Sequence, residues 1–461
     1  MEKNLFDEFD PVSAKAWKQQ IQYELKGKDY NESLVWESPE GIKTKPFYHA
    51  DDLENINLRP SGKLSWRIAQ DIFVADSAKA NEKARDALQR GAESLIFTVP
   101  SESVDLETLL RGIDLDAVPI HFSFQFLSTD YVKKAITLAG KATGNIHLHI
   151  DCIGKLARTG NWFLDREHDF DMIEDILAAS KQNGTTDTLA IDASLYQNSG
   201  ANSVQQLAYA LAHANEYLNR YDPKSIGEIT FKIAIGGTYF FEIAKIRALR
   251  KLWEALAAEY QVPTKCHILA IPSKRNKTLY AYNVNLLRSS TECMSAILGG
   301  ADTVCNLPYD SMYHKDNEFA ERIARNQLLI LKEESFFDAI DNPADGSYYI
   351  ESLTQQLADN ALLLFKDIEA NGGFLKQLKD HTIQRKIKES AAKEQHLFDT
   401  GKEILVGTNA YLNVADKMKD TMELYPFVKI KHCKTLIEPI IERRLAENVE
   451  KERLTGEGWK Q

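Results

Sequence analysis

Between residues 93 and 341 short apolar runs alternate with longer helix-period segments, and this alternation constrains the fold more than any other feature. The runs are ESLIFTV (93–99), VPIHFSF (118–124), IHLHID (146–151), TLAIDA (188–193), ITFKIAI (229–235), KCHILAI (265–271), ADTVCNL (301–307) and SFFDAID (335–341). Each is strand-length and rich in β-branched or aromatic residues. Between them lie segments such as SAKANEKARDALQRGA, VQQLAYALAHANEYLNRY and FFEIAKIRALRKLWEALAAEY. In the last, Phe241, Ile243, Ala244, Ile246, Leu249, Leu252, Trp253 and Leu256 recur at helical spacing. Eight strands alternating with helices predict an α/β fold, a closed (β/α)8 TIM barrel; an open doubly wound sheet is the alternative.

The flanks do not share this pattern. Residues 1–60 read as an extended N-terminal arm with one short amphipathic helix, PVSAKAWKQQIQYELKGK. An arm without a core of its own packs on its own barrel or on a partner. Residues 61–400 hold the barrel and two further helices, YIESLTQQLADNALLLFKDIEANGG and FLKQLKDHTIQRKIKESAAKEQHLF; Asn371-Gly372-Gly373 is the stop between them. Residues 401–461 form a C-terminal helical extension, in which LIEPIIERRLAENVEKERL reads as one solvated helix.

Composition narrows the function classes. Fifty-six Lys and Arg against 67 Asp and Glu give a net charge of −11, which argues against a nucleic-acid partner. No apolar run reaches the ~20 residues that span a bilayer, and the N-terminus lacks the apolar core of a signal peptide. Cys152, Cys266, Cys293, Cys305 and Cys433 form no C-x-x-C pair and no zinc spacing. Reduced, mostly buried thiols in a cytoplasmic protein are the expectation.

One motif points to metal chemistry. In HLHID, strand alternation puts His147, His149 and Asp151 on one face, and Lys232, His267 and Asp341 lie on later runs. Together they would suit a barrel metal hydrolase. However, HLHID falls on the third run rather than the first, and His267 sits near the start of its strand, facing away from a site at the other end. The histidines therefore read as structural, with no metal ligand set expected. Gly236-Gly237 at a strand end reads either as a phosphate cradle or as a tight turn. DNPADGSYYIES reads as turn chemistry, with Ser347 as a helix N-cap. The strand end LAIDASLYQNSGAN (189–202) offers no acid, base or metal ligand after Asp192.

Several segments resemble the methylmalonyl-CoA mutase family. LKGKDYNESLVWESPEGIKTKPFY is similar to its N-terminal arm. YFFEIAKIRALRKLW (239–253), VNLLRSSTECMSAILGGADTV (284–304) and ERIARNQLLILKEES (321–335) resemble its later barrel segments. DNPADGSYYIESLTQQLADNA resembles the pattern D-P-x-G-G-S-Y-Y-V-E-x-L-T, and ILVGTNAY (404–411) resembles the segment after the barrel. The resemblance implies a (β/α)8 barrel enclosing an acyl-CoA along its axis. A separate domain would bring adenosylcobalamin to the barrel's C-terminal face.

The departures from the family bear on activity. Where active chains carry W-x-I-R-Q-Y this one reads WRIAQD, with Asp71 at the tyrosine and Ala69 at the arginine. Alignment on Gly200-Ala201 puts Leu195 at the histidine that contacts the substrate carbonyl. In place of H-C-Q-T-S-G stand Leu269, Ala270, Ile271, Pro272, Ser273 and Lys274; L-H-T-N aligns with Val304, Cys305, Asn306 and Leu307. The cobalt-ligating D-x-H-x-x-G string is absent. The resemblance thus implies the small, non-catalytic subunit of a heterodimeric mutase, without a cobalamin domain. It would have no catalytic, cofactor or metal residues, its degenerate positions being Asp71, Leu195 and Leu269. Adenosylcobalamin would sit on the partner, a catalytic large subunit. An active barrel served by a separate cobalamin-binding protein is the alternative within the family.

Overall fold

In the computed structural model, strand β1 (Arg67–Phe73) closes the sheet by pairing with both the second strand and the last. The structure describes residues 8–10, 12–54, 56, 62–140, 146–183, 187–429 and 433–459; the rest of the arm and of the C-terminal extension lies outside them. The other strands are β2 (Ser94–Val99), β3 (Ile120–Phe124), β4 (Ile146–Ile150), β5 (Asp187–Asp192), β6 (Ile229–Ile235), β7 (Cys266–Pro272) and β8 (Thr303–Val304). All are parallel and follow sequence order around a closed eight-stranded barrel, so the fold is a (β/α)8 barrel.

Two boundaries differ from the sequence expectation. WRIAQDIF supplies β1, whereas SFFDAID forms no strand. Asp341 makes only an isolated antiparallel bridge with Lys63, and Phe336 has a φ of 56°, which breaks an extended run. β1 escapes an apolar search because two polar residues interrupt it, Gln70 facing outward to accept from Arg325 and Asp71 facing the axis. HLHID consequently lies on the fourth strand.

Strand alternation sorts side chains between two cores. Leu95, Phe97, Phe122, Leu148, Phe231 and Ile268 join the outer core under the helices. Ala69, Ile96, Leu269 and Cys305 form a separate inner layer, with Ile271 against it. Trp253 of helix Tyr239–Tyr260 is fully buried with its ring 5.3 Å from Phe231. That contact shows how the 3.6-residue stripe of the helix meets the sheet.

The arm is divided. Helix Ala14–Glu24 is capped by Ser13 but buries none of its residues. Farther along, Ile42 is buried in the main core and the Trp36 ring stands 5.9 Å from Phe241. After the barrel come helices Tyr348–Ala370, Phe374–Lys379 and Thr382–Asp399. Ser347 occupies the N-cap position of the first, but its side chain makes no capping bond; Gly346 N–H donates to Glu351 instead.

The C-terminal extension corrects the expectation of one solvated helix. Among its described residues only Glu447–Gly456 is helical. Residues 436–446 form no helix, with Ile437, Ile440 and Leu445 buried. Pro439 removes a donor within that stretch. The backbone N–H groups instead donate across to the barrel: Leu436 to Gly160 O (2.9 Å), Ile440 to Ala157 O (2.8 Å), Arg443 to Asn198 O (3.0 Å) and Leu445 to Arg275 O (2.8 Å).

Candidate functional site

The C-terminal mouth of a (β/α)8 barrel is where its chemistry is carried, because eight loops converge there. Here Asp192 ends β5 and Lys232 rises from β6, with Lys232 Nζ 3.4 Å from Asp192 Oδ2. Arg158, on helix Cys152–Thr159, donates to the same oxygen at 3.0 Å and to Glu442 Oε1 at 2.9 Å. Ser194 Oγ donates to the other Asp192 oxygen. Burial pushes the Asp192 carboxyl up, but Lys232 and Arg158 outweigh it and hold it well below the usual carboxylate range. Glu442 follows the same balance: burial raises it, while Arg158 and Lys274 bring it below its ordinary value. The mouth therefore holds a compensated charge network, with the 436–446 segment laid across it as a strap.

Asp71 faces this network from β1. Its carboxyl keeps contact with solvent in the mouth, yet desolvation by the surrounding barrel raises it above the ordinary value, against the pull of Lys232 and Lys274. Leu269 is fully buried in the inner apolar layer below. Leu195 is buried on the short helix Ser194–Asn198, at the strand end that lacked acids and bases. Gly200 behind it has φ +95°, and a Cβ there would stand 2.5 Å from Ala391 Cβ. Helix Thr382–Asp399 therefore packs directly on this loop.

Gly236-Gly237 makes no open phosphate cradle. Gly236 N–H bonds the Glu242 carboxylate of the chain itself, and a Cβ on Gly236 would meet Gln197 Nε2 at 2.5 Å.

The HLHID residues part company. Asp151 turns outward: it accepts from Gly154 N (2.7 Å) and Tyr217 Oη (2.9 Å), and stands 2.8 Å from His213 Nε2. Asp341 lies on its isolated bridge. His147, His149 and His267 do face the axis, and His121 of β3 joins them. His121 stacks on His147 at 4.2 Å, and His147 lies 4.3 Å from His267 on the far wall. His121 Nδ1 meets His149 Nε2 at 3.1 Å. His147 Nδ1 is 2.7 Å from Asp187 Oδ2, and His267 Nε2 is 3.0 Å from Thr303 Oγ1. Burial, with the Lys232 charge adding to it, pushes His149 down to about 3; burial and the neighbouring rings hold His121 and His267 well below the usual imidazole value. The four rings share the axis, and burial keeps His121, His149 and His267 neutral.

His121 escaped sequence reasoning, as did the Arg158–Glu442 pair. A signal for the first existed: His121 in IHFSF pairs directly with His147 in IHLHI, one strand over. The second joins residues 284 positions apart, and no local pattern encodes it.

Fold and site together define a (β/α)8-barrel protein whose C-terminal segment docks on the mouth beside β4, β5 and β7 and whose axis holds a buried apolar layer and a cluster of histidine rings. Residues 99–452 match the family described as methylmalonyl-CoA mutase. The methylmalonyl-CoA mutase small subunit of Porphyromonas gingivalis is 35% identical, over 99% of this chain and 78% of that relative. The small subunit of Streptomyces virginiae is 30% identical over 88% of this chain and 72% of its own length. The methylmalonyl-CoA mutase of Cereibacter sphaeroides is 28% identical over 86% of this chain, which spans 64% of that relative. The chain belongs to the methylmalonyl-CoA mutase family. Among the described residues no helix is long and apolar enough to cross a membrane.

Proposed function

We propose that this chain is the non-catalytic subunit of a heterodimeric, adenosylcobalamin-dependent methylmalonyl-CoA mutase, and that it stabilises a larger catalytic chain interconverting methylmalonyl-CoA and succinyl-CoA. The observation that carries this reading is the filled axis. Family barrels enclose the acyl-CoA along that axis, and here the layer of Ala69, Ile96, Leu269 and Cys305 lies in it beside four histidine rings. Leu195 and Leu269 offer no hydrogen bond to a thioester carbonyl, so the preorganised donors that stabilise a reacting carbonyl are missing. Asp71 puts a carboxyl where the family has an aromatic wedge.

The mouth does not fit adenosylcobalamin. Its polar groups, Asp71, Asp192, Lys232, Arg158 and Glu442, include no imidazole to ligate cobalt, and the strap crosses it. The cofactor is assigned to the partner chain. The arm is assigned to the subunit contact, because helix Ala14–Glu24 leaves Trp17 and Tyr23 exposed and buries nothing. A cytoplasmic setting accords with five free cysteines, four of them buried.

The test is an assay with and without the catalytic chain. Alone, or with a free cobalamin-binding domain, this chain should not isomerise methylmalonyl-CoA. Added to a catalytic partner, it should raise that partner's yield and thermal stability by mass action. Turnover by this chain with only a free cobalamin domain would overturn the reading in favour of an active barrel.

A further inference from the structure

The histidines inside the barrel enter the function proposed above only by filling space on the axis. We infer that His121, His147 and His267 form a binding site for one divalent transition-metal ion of the zinc, cobalt or nickel class, in the N-terminal half of the barrel axis.

One nitrogen from each ring lies within 4.8 Å of the other two. The His121 ring supplies the independent sign of a ligand. It is fully buried, its Nδ1 is taken by His149, and its Nε2 has no hydrogen-bond partner among the described residues. A buried polar atom left unpaired is costly, and a metal ion is one means of satisfying an imidazole nitrogen. The other two rings are already oriented. Asp187 Oδ2 stands 2.7 Å from His147 Nδ1, a close contact without the alignment of a hydrogen bond, and Nε2 remains for the ion. A carboxylate on the far nitrogen is the common support of a metal-binding histidine. Thr303 Oγ1 engages His267 Nε2 at 3.0 Å and leaves Nδ1 for the ion.

Glu228 interacts with Asp187, Asp302 and His147 at this end of the barrel, while Arg250 and Arg67 act on His267. An all-imidazole donor set selects nitrogen-preferring ions over calcium or magnesium. Two adjustments accompany binding. Metal–nitrogen bonds of ~2.0–2.1 Å place tetrahedral donors about 3.3 Å apart, so the nitrogens draw inward. The His121 and His147 rings, now stacked within 10° of parallel, tilt so that both lone pairs reach one ion. The ion would tie β3 and β4 to β7 across the axis, a structural role that is independent of the function proposed for the mouth and the arm.

Metal-stripped full-length chain titrated with Co2+ should take up one equivalent, with the visible absorption of a low-coordinate nitrogen site that Zn2+ then abolishes. Zinc should raise the unfolding temperature of the wild type. His267→Gln, which changes the least buried of the three, should weaken Co2+ binding at least tenfold and remove the zinc-dependent rise. X-ray absorption on the zinc-loaded wild type should report a first shell with three imidazoles, a readout that needs no variant to fold. Absence of stoichiometric Co2+ uptake, unchanged affinity in His267→Gln, or a first shell without imidazole would overturn the site.

Discussion

Arg158 and Glu442 meet at 2.9 Å across the mouth of the barrel, although 284 positions separate them in the chain. The same guanidinium holds Asp192 of β5 at 3.0 Å, so one side chain ties the strap to the sheet. Both members of the Arg158–Glu442 pair keep some solvent contact, which screens the attraction. Glu442→Ala should therefore cost only about 1–2 kcal/mol of stability. Hydrogen exchange in 436–446 should accelerate while exchange in β1–β7 stays slow. Equal acceleration everywhere would mean that the strap is not a separate unit.

The same pair sets a local pH dependence. The Glu442 carboxyl titrates below its ordinary value in the folded chain, so in acid the detached segment binds a proton that the docked one refuses. Its contribution is complete above the unfolded glutamate pKa of about 4.3 and is lost as pH falls through the folded value. Corrected for intrinsic rates, exchange in 436–446 should stay level from pH 6 to pH 5 and rise on acidification from pH 5 to pH 3. Glu442→Gln should flatten that rise.

Asp71 has the opposite sign. Desolvation lifts its carboxyl, so the native state holds this proton to higher pH than the unfolded chain does, and stability falls as pH rises through the folded value. Asp71→Asn should raise the unfolding temperature at pH 8, and the gain should disappear near pH 3. A loss at pH 8 would show that Lys232 and Lys274 outweigh desolvation.

Leu269 tests the filled axis. It is fully buried against Ala69, Ile96 and Cys305, so Leu269→Ala removes packing that neighbours on a rigid barrel cannot replace. Denaturant unfolding should show a loss of about 2–5 kcal/mol.

Deletion through Leu25 tests the arm. The helix it removes buries no residue, whereas Ile42, farther on, belongs to the core. The shortened chain should keep its unfolding temperature within a few degrees and lose stoichiometric co-purification with a catalytic partner. Undiminished co-purification would free the arm of any assembly role.

Seven of the eight strands were legible because their outward residues are continuous Ile, Leu, Val and Phe under helices. β1 was not, because Gln70 and Asp71 break its apolar run, and SFFDAID has the composition of a strand without forming one, because apolar content alone does not make a strand. LIEPIIERRLAENVEKERL read as helix from its charge pattern, yet Pro439 and the hydrogen bonds offered by Ala157, Gly160, Asn198 and Arg275 hold its first part out of a helix. Of the site, Leu195, Leu269 and Asp71 were legible as departures from a family pattern.

The sequence by itself determined the periodicities, and with them the barrel, since alternation of period 2 and stripes of period 3.6 are local properties that each segment carries alone. Which side chains share the axis was decided by closure of the sheet. Closing eight strands brought His121 and His147 on one wall against His267 on the other, and folding the C-terminal segment back brought Glu442 to Arg158. Both contacts depend on the register and direction of elements far apart in the chain. Those are set by packing of the whole molecule, not by the preference of any short stretch.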